Sequence, residues 1–412
     1  MKSLFFFATR IISIRFAVLV LSLVQTSLWA AVLGLDGLGI ASAYIGALGV
    51  ASLLGRLGTD NLIVRAFKND PQFAGRFPGL LLGITGSSIL AAGLLLAVLN
   101  LVVFRTWLGN ESLLFLPIVL GFNLALILSQ ILIAQKRATT ASLLGNVLPV
   151  AISVGLFALA APVLDRLPLS GAMVAISLFG LGHLAATLAI ALLLSTFWRE
   201  CLLMMRATPQ RIQLFFGPEQ WYFIGYQSMG LARGQGMVLA VAALFDPTLT
   251  GVFALAYRFG SLLTYLNEPA RMFAMPRVAG KTADQIRHLY LKMLMLNGSL
   301  GVMGIAFLAT MYSLVHLPFP TDPPFLLFTL IIMGGAAFNL FVGPVGIILA
   351  MSGNEKNNFV ANLCGLICVI ACTVLAAFTK NAMFTVIGVA GASVTTNLIN
   401  TIKVLKFIRS VD

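Results

Sequence analysis

Long apolar runs, separated at regular intervals by short polar stretches, fill the chain from end to end. Runs of low charge lie near 11–33, 40–64, 77–104, 112–134, 139–163, 169–197, 220–245, 250–275, 289–315, 325–350, 358–379 and 382–405. Crossing a hydrocarbon layer ~30 Å thick takes roughly 20 apolar residues of helix, and each run is near or above that length. Lipid offers no partner to backbone amides and carbonyls, so apolar runs of this length are helices. The pattern predicts an all-α integral membrane protein with about 12 transmembrane helices.

Basic residues fix the sidedness. An even number of spans puts both termini on one side. With that side cytoplasmic, the inner loops, tails and adjoining span ends hold 20 Lys and Arg, the outer loops hold only Arg105, Arg166 and Lys380, and the remaining 3 of the 26, Arg56, Arg233 and Arg258, are counted inside spans. Positive charge accumulates on the cytoplasmic side of membrane proteins, so both termini are expected there. The expected location is a bacterial inner membrane, crossed many times. Composition agrees: of 412 residues, 59% are hydrophobic and 9% charged, with mean hydropathy +1.00. A soluble domain carries about 25% charged residues, so that class is excluded. The net charge of +13 is accounted for by topology and contact with anionic membrane lipids. No Lys/Arg-aromatic patch points to nucleic acid.

The longest non-apolar stretch, WRECLLMMRATPQRIQLFFGPE at 198–219, divides the spans six and six. The expected organisation is an N-terminal lobe at 1–197, a cytoplasmic connector at 198–219 and a C-terminal lobe at 220–412. The outer loops are LGLDGL, RTWLGNES, LDRLP, FDPT, HLPFPTDPP and TKNAM, too short for a separate domain. The opening MKSLFFFATRIISIRF has the charge of a signal peptide but no small-residue cleavage site after a short apolar core. It reads as an amphipathic lead-in to the first span.

Setting Gly39 on Gly251, a shift of 212 residues, brings Leu54 over Leu266 and Arg65 over Arg277. The identities are few, but the shift lays the second span on the eighth, as two six-helix halves require. Transporters are commonly built from such paired repeats, with the substrate path between them. The block LGLDGLGIASAYIGALGVASLLGRLGTDNLIVR resembles the first-repeat signature of Wzx-type polysaccharide flippases, members of the multidrug/oligosaccharidyl-lipid/polysaccharide (MOP) exporter superfamily. PTLTGVFALAYRFGSLLTYLNEPARMFAMPRVA is similar to their second-repeat counterpart, and IILAMSGNEKNNFVANLCG to the turn between their tenth and eleventh spans. The three blocks fall in the family's order. The resemblance implies two six-helix lobes related by a pseudo-two-fold repeat, V-shaped around a central cavity. It also implies a function: turning an oligosaccharide on polyprenyl pyrophosphate, such as an O-antigen unit for lipopolysaccharide, from the cytoplasmic to the periplasmic leaflet. A polysaccharide polymerase and glycosyltransferases would be its working partners.

Ionisable groups at membrane depth cost roughly 2.5–3.5 kcal/mol each on insertion scales, so they face a cavity or a partner. Arg233 stands near the middle of the seventh span, in GLARGQGMVLA, with Gly230, Gly234 and Gly236 around it. Glycines at this density weaken the helix, and an Arg there can fork onto a phosphate. The competing reading is an Arg satisfied by nearby carbonyls, with the glycines serving close helix packing. Arg258 lies about 10 Å into the eighth span at 1.5 Å per residue, where it either faces the cavity or snorkels to the interface. Arg56, Asp60 and Glu268 lie toward the cytoplasmic ends of spans two and eight, with Arg56 and Glu268 equivalent under the repeat. They are candidates for a gate, or else interfacial anchors.

Neutral polar residues are candidates for a sugar path: Gln25 and Thr26, Asn123 and Gln130, Asn146, Asn339, Asn397 and Asn400. The same residue types also serve as glue between helices. Cys364, Cys368 and Cys372 recur every fourth residue along one helical face, ~6 Å apart, with no His beside them; they are expected to pack rather than hold metal. Of His183, His288 and His316, only His183 lies inside a span as a candidate proton relay. The sequence has no nucleotide-binding glycine loop, no Ser-His-Asp order and no HExxH, so no cofactor, metal or enzymatic activity is expected. A cation exporter of the same superfamily is the alternative. Such exporters need a buried carboxylate, and the first span has none from Ile11 to Leu33. A membrane-embedded glycan polymerase or glycosyltransferase is a further alternative, disfavoured by the short outer loops.

Overall fold

The computed structural model describes residues 2–56, 63, 67, 72–102, 115–135, 137–166, 170–207, 218–267, 278, 283–314 and 323–409. In chain order the helices are α1 (Lys2–Arg56), α2 (Phe73–Val102), α3 (Phe115–Ala134), α4 (Ala138–Ser142), α5 (Leu148–Ala160), α6 (Gly171–Leu193), α7 (Ser195–Ala207), α8 (Pro218–Arg233), α9 (Gln235–Leu244), α10 (Pro247–Leu266), α11 (Ala283–Leu314), α12 (Pro323–Val342), α13 (Val345–Met351), α14 (Glu355–Thr379) and α15 (Met383–Arg409). A π-helical turn at Leu143–Val147 joins α4 to α5, and a 3-10 turn at Ala161–Arg166 follows α5. No strand occurs among the described residues. This is the all-α membrane fold that the apolar runs predict.

Nine helical segments among the described residues are long and apolar enough to cross a membrane. The difference from twelve has local causes. The first segment, 16–56, holds two expected spans, and the backbone leaves helical geometry between them at Gly34 (φ 70°, ψ 179°). That left-handed conformation favours glycine, so one residue replaces the expected LGLDGL loop. The seventh run is cut at Gly234 into α8 and α9. The eighth is the continuous α10, 20 residues long with Arg258 inside it. The tenth run, expected to continue to 350, breaks at Gly343 (φ 77°) and Pro344. Proline brings no N–H to a helix interior, and the chain restarts as the short α13.

Many large apolar side chains point outward, among them Leu192 at 76% and Phe378 at 83% exposure. Such a surface suits lipid, and the protein is a multi-pass membrane protein. The chain forms two compact units, one of 16–224 and the other of 1–15 with 225–412. In the first, α3 packs on α2 and α6, α5 on α6, and α7 on α2; in the second, α12 packs on α11 and α15, α14 on α15, and α10 on α12. Counted by spans, the third–fourth, fourth–sixth and fifth–sixth pairings of the first unit recur as ninth–tenth, tenth–twelfth and eleventh–twelfth in the second. The same packing plan is used twice.

Small residues let α14 and α15 approach closely. A Cβ on Gly388 would stand 2.8 Å from Cys372 Cβ, and one on Gly391 3.3 Å from Cys368 Sγ. Small side chains at a helix interface are the usual device for close packing in lipid, and here Cys368 and Cys372 supply it.

Candidate functional site

Arg233 is the last residue of α8, where the chain leaves helical geometry at Gly234 (φ −96°, ψ −90°). The Tyr257 hydroxyl lies against Gly234, where an added Cβ would meet it at 2.7 Å and push the tyrosine tip aside. The half-buried Arg233 side chain is held by three acceptors. Its Nε donates to Met229 O (3.2 Å), Nη1 to Thr396 Oγ1 (2.6 Å) and Nη2 to Asn362 Oδ1. Those acceptors come from α8, α15 and α14, so the guanidinium ties three helices of one unit together.

All three partners are uncharged. A guanidinium carries five N–H donors; among the described residues these bonds use three, leaving one on each terminal nitrogen. Gly365 makes room for the charge, since a Cβ there would overlap Thr396 Oγ1 and come within 3.0 Å of both Ala392 O and Arg233 Nη1. Behind Asn362 the polar chain continues. Asn362 Nδ2 donates to Asn358 O (2.8 Å) and Asn358 Oδ1 (3.1 Å), and Asn400 Nδ2 donates to the same Asn358 Oδ1 (3.1 Å). Asn358, Asn362, Thr396 and Asn400 are buried. The arrangement is a net positive charge, held by neutral oxygens, with donors to spare. Its chemistry suits an anion.

The other residues singled out in the sequence are described within their own units. Arg258 on α10 is half-buried and has partners of its own. Asn339 pairs with Asn267 rather than with Arg233. Gln25 is buried, donating to Ser153 (2.9 Å). Thr26 is buried and donates back to Ser22 O (2.8 Å). Asn146 is half-buried in the π-helical turn. Gln130 and Asn397 are half-buried, and Asn397 Nδ2 donates to Ser393 O (2.8 Å). Arg56 Nε donates to Ser52 O (3.3 Å) and Ser52 Oγ (3.2 Å). Asp60 and Glu268 lie outside the described residues. His183 is buried, with Nδ1 3.0 Å from Phe179 O and its ring against Phe122 and Phe179. Among the described residues, no group of His, Cys, Asp and Glu is arranged to hold a metal ion.

Asn123 is the centre of a buried triad. Ser52 Oγ donates to its Oδ1, and its Nδ2 donates to Ser88 Oγ (2.7 Å). The triad joins α1, α2 and α3, the second, third and fourth spans. Asn297 Nδ2 donates to Asn267 Oδ1 (2.7 Å), whose Nδ2 lies 3.5 Å from Asn339 Oδ1. This second triad joins the eighth, ninth and tenth spans. Each unit therefore pins the same three helices of its repeat with amides and hydroxyls. Sequence reasoning missed Ser52, Ser88, Asn267, Asn297, Asn358, Asn362 and Thr396. For the last two helices a signal exists: Asn358/Asn362 and Thr396/Asn400 are polar pairs at i, i+4 in otherwise apolar spans.

No family model matches the sequence, and no curated protein matches it. Solved structures do match, over almost the whole length. The eukaryotic MATE transporter AtDTX14 superposes with a TM-score of 0.63 at 16% identity, covering 99% of this chain and 97% of that one. The lipid II flippase MurJ, in its inward closed conformation, gives 0.66 at 13%, covering 97% and 89%. This is the fold of the MOP-superfamily transporters. A MOP transporter from Pyrococcus furiosus, described as having a binding pocket of reverse polarity, gives 0.56 at 13%, covering 99% and 96%. At these identities the likeness to MOP transporters is one of fold.

Proposed function

We propose that this protein is a flippase for polyprenyl-pyrophosphate-linked oligosaccharide, moving it from the cytoplasmic to the periplasmic leaflet of a bacterial inner membrane by alternating access. The observation that carries the reading is Arg233: a membrane-depth guanidinium whose hydrogen-bond partners among the described residues are neutral and use three of its five N–H donors. Hydrogen bonds between ionised groups are the strong ones, and a guanidinium fork fits phosphate oxygens. A cation would be repelled from the same place. Neutral polar side chains along the spans suit a glycan, which binds through many uncharged hydrogen bonds. The O-antigen specificity, the polymerase and glycosyltransferase partners, and the cytoplasmic placement of both termini belong to this proposal. The test is surface polysaccharide in cells carrying Arg233→Ala. We expect it to fall sharply at normal membrane abundance, with partial recovery in Arg233→Lys, which keeps charge but loses the fork. Full polysaccharide in Arg233→Ala at normal abundance would refute it.

The MATE structures among the matches favour a second reading, export of a small organic molecule. An exporter of cations needs a carboxylate at membrane depth. Among the described acidic residues, Asp36 lies beside the Gly34 break, Asp165, Glu219, Asp246, Asp284 and Glu355 lie close to helix ends, and Glu200 is exposed on the amphipathic α7. That distribution favours the anionic cargo.

A further inference from the structure

We infer that α7 carries a binding site for anionic phospholipid headgroups, made by Arg199 and Arg206 on either side of Leu202 and Leu203. The helix has two opposed faces. Leu194, Phe197 and Cys201 are buried, with Trp198 and Met204 packed beside them against Phe73, Phe77 and neighbouring side chains. The fit on α2 is close, as a Cβ on Gly75 would stand 3.2 Å from Met204 Cβ. The helix is thus a fixed platform on the first unit.

The other face carries Arg199, Leu202 and Leu203, all exposed, and Arg206 falls on it by register. The spacing i, i+3, i+4, i+7 puts the four in one stripe. Leu202 is 60% and Leu203 66% exposed, too much apolar surface to leave in water beside two arginines. Bilayer lipid suits both halves of the stripe. The stripe also continues the outward apolar surface of α6, where Leu188 is 65% and Leu192 76% exposed just before α7 begins. The two arginine positions are about 10.5 Å apart along the axis at 1.5 Å per residue. The exposed Arg199 guanidinium can fork onto a phosphate while the leucines rest among the upper acyl carbons, and the register of Arg206 puts a second positive charge on the same stripe. Glu200 is exposed at the edge of the stripe, about 100° around the helix from Arg199, where it repels a headgroup approaching from that side. The site shares no residue with the Arg233 cluster and does not depend on the cargo reading.

The test uses the full-length protein in detergent, titrated with phosphatidylglycerol or phosphatidylcholine and read by native mass spectrometry. A basic residue near an anionic surface contributes about fivefold in affinity. R199Q and R206Q should each weaken phosphatidylglycerol binding about fivefold, and together about 25-fold, with phosphatidylcholine unchanged. L202S/L203S should weaken both lipids. K406Q/R409Q, which removes basic residues at the end of α15, should leave phosphatidylglycerol binding within about twofold. Retained phosphatidylglycerol preference in R199Q/R206Q would overturn the proposal. So would an equal loss in K406Q/R409Q, which would make the attraction diffuse. Spontaneous disulfide dimers of Leu203→Cys, made in a variant lacking the native cysteines, would assign the face to a second copy of the chain instead.

Discussion

Substituting Gly365 by Ala tests whether the Arg233 cluster is as tightly built as its geometry indicates. The added methyl would overlap Thr396 Oγ1 and approach Ala392 O and Arg233 Nη1 to 3.0 Å. Overpacking of this kind costs about 1–3 kcal/mol. Displacing the Thr396 hydroxyl also loses its bond from the guanidinium, worth about 1.5–3 kcal/mol for a charged donor. Alanine returns up to about 1 kcal/mol as a better helix former than glycine. The net loss is about 1.5–5 kcal/mol, or roughly 3–10 °C at about 2 °C per kcal/mol for a chain of this size. Thermal unfolding of the purified protein reads it directly. Thr396→Ala alone loses the hydrogen bond but removes the closest clash, leaving the contacts with Ala392 O and Arg233 Nη1, so adding Gly365→Ala to Thr396→Ala should cost much less than Gly365→Ala costs the wild type. Additive losses in the double variant would refute the packing argument.

In the first unit, Asn123→Leu should leave the Ser52 hydroxyl proton without its acceptor, while Ser88 keeps its bond to Ile84 O (2.6 Å); stability should fall by about 1–3 kcal/mol for the one unsatisfied group, and an unfolding temperature equal to wild type would show that the triad contributes nothing. Burial, aided by the neighbouring Glu200 charge, pushes the Cys201 thiol up from 9.0 to about 12. It therefore stays protonated as pH rises through 9, and since the thiolate is the reactive form, a variant retaining only this cysteine should label slowly with maleimide up to pH 9 and fast only once unfolded. Cysteines introduced at 205–212 should be protected from an impermeant reagent outside the cell, and those at 320–322 accessible; the reverse pattern would invert the topology.

What the sequence made legible was decided by periodicity and charge. The all-helical membrane fold followed from run length, because lipid leaves the backbone few alternatives. The glycines around Arg233 drew attention to the place where α8 and α9 part. Less was visible where tertiary partners decide a residue's role. Asn123 looks the same in sequence whether it lines a path or sits between two serines; only the approach of α1, α2 and α3 distinguishes the two. The partners of Arg233 come from Asn362 and Thr396, more than a hundred residues away, and their identity depends on how α14 and α15 pack. The single-residue turn at Gly34 was hidden because LGLDGL suits a loop and a helix end equally. The amphipathic α7 was hidden inside a connector defined only by its low hydropathy.

The cargo reading is tested most directly by equilibrium binding of a polyprenyl pyrophosphate to the purified protein and to Arg233→Gln, with a lipophilic cation as competitor. A charged hydrogen bond worth about 1.5–3 kcal/mol corresponds to roughly 10–150-fold in affinity. Arg233→Gln should bind at least about tenfold more weakly, and the cation should not compete in the wild type. Equal pyrophosphate affinity in the two proteins, or displacement of the pyrophosphate by the cation, would contradict it.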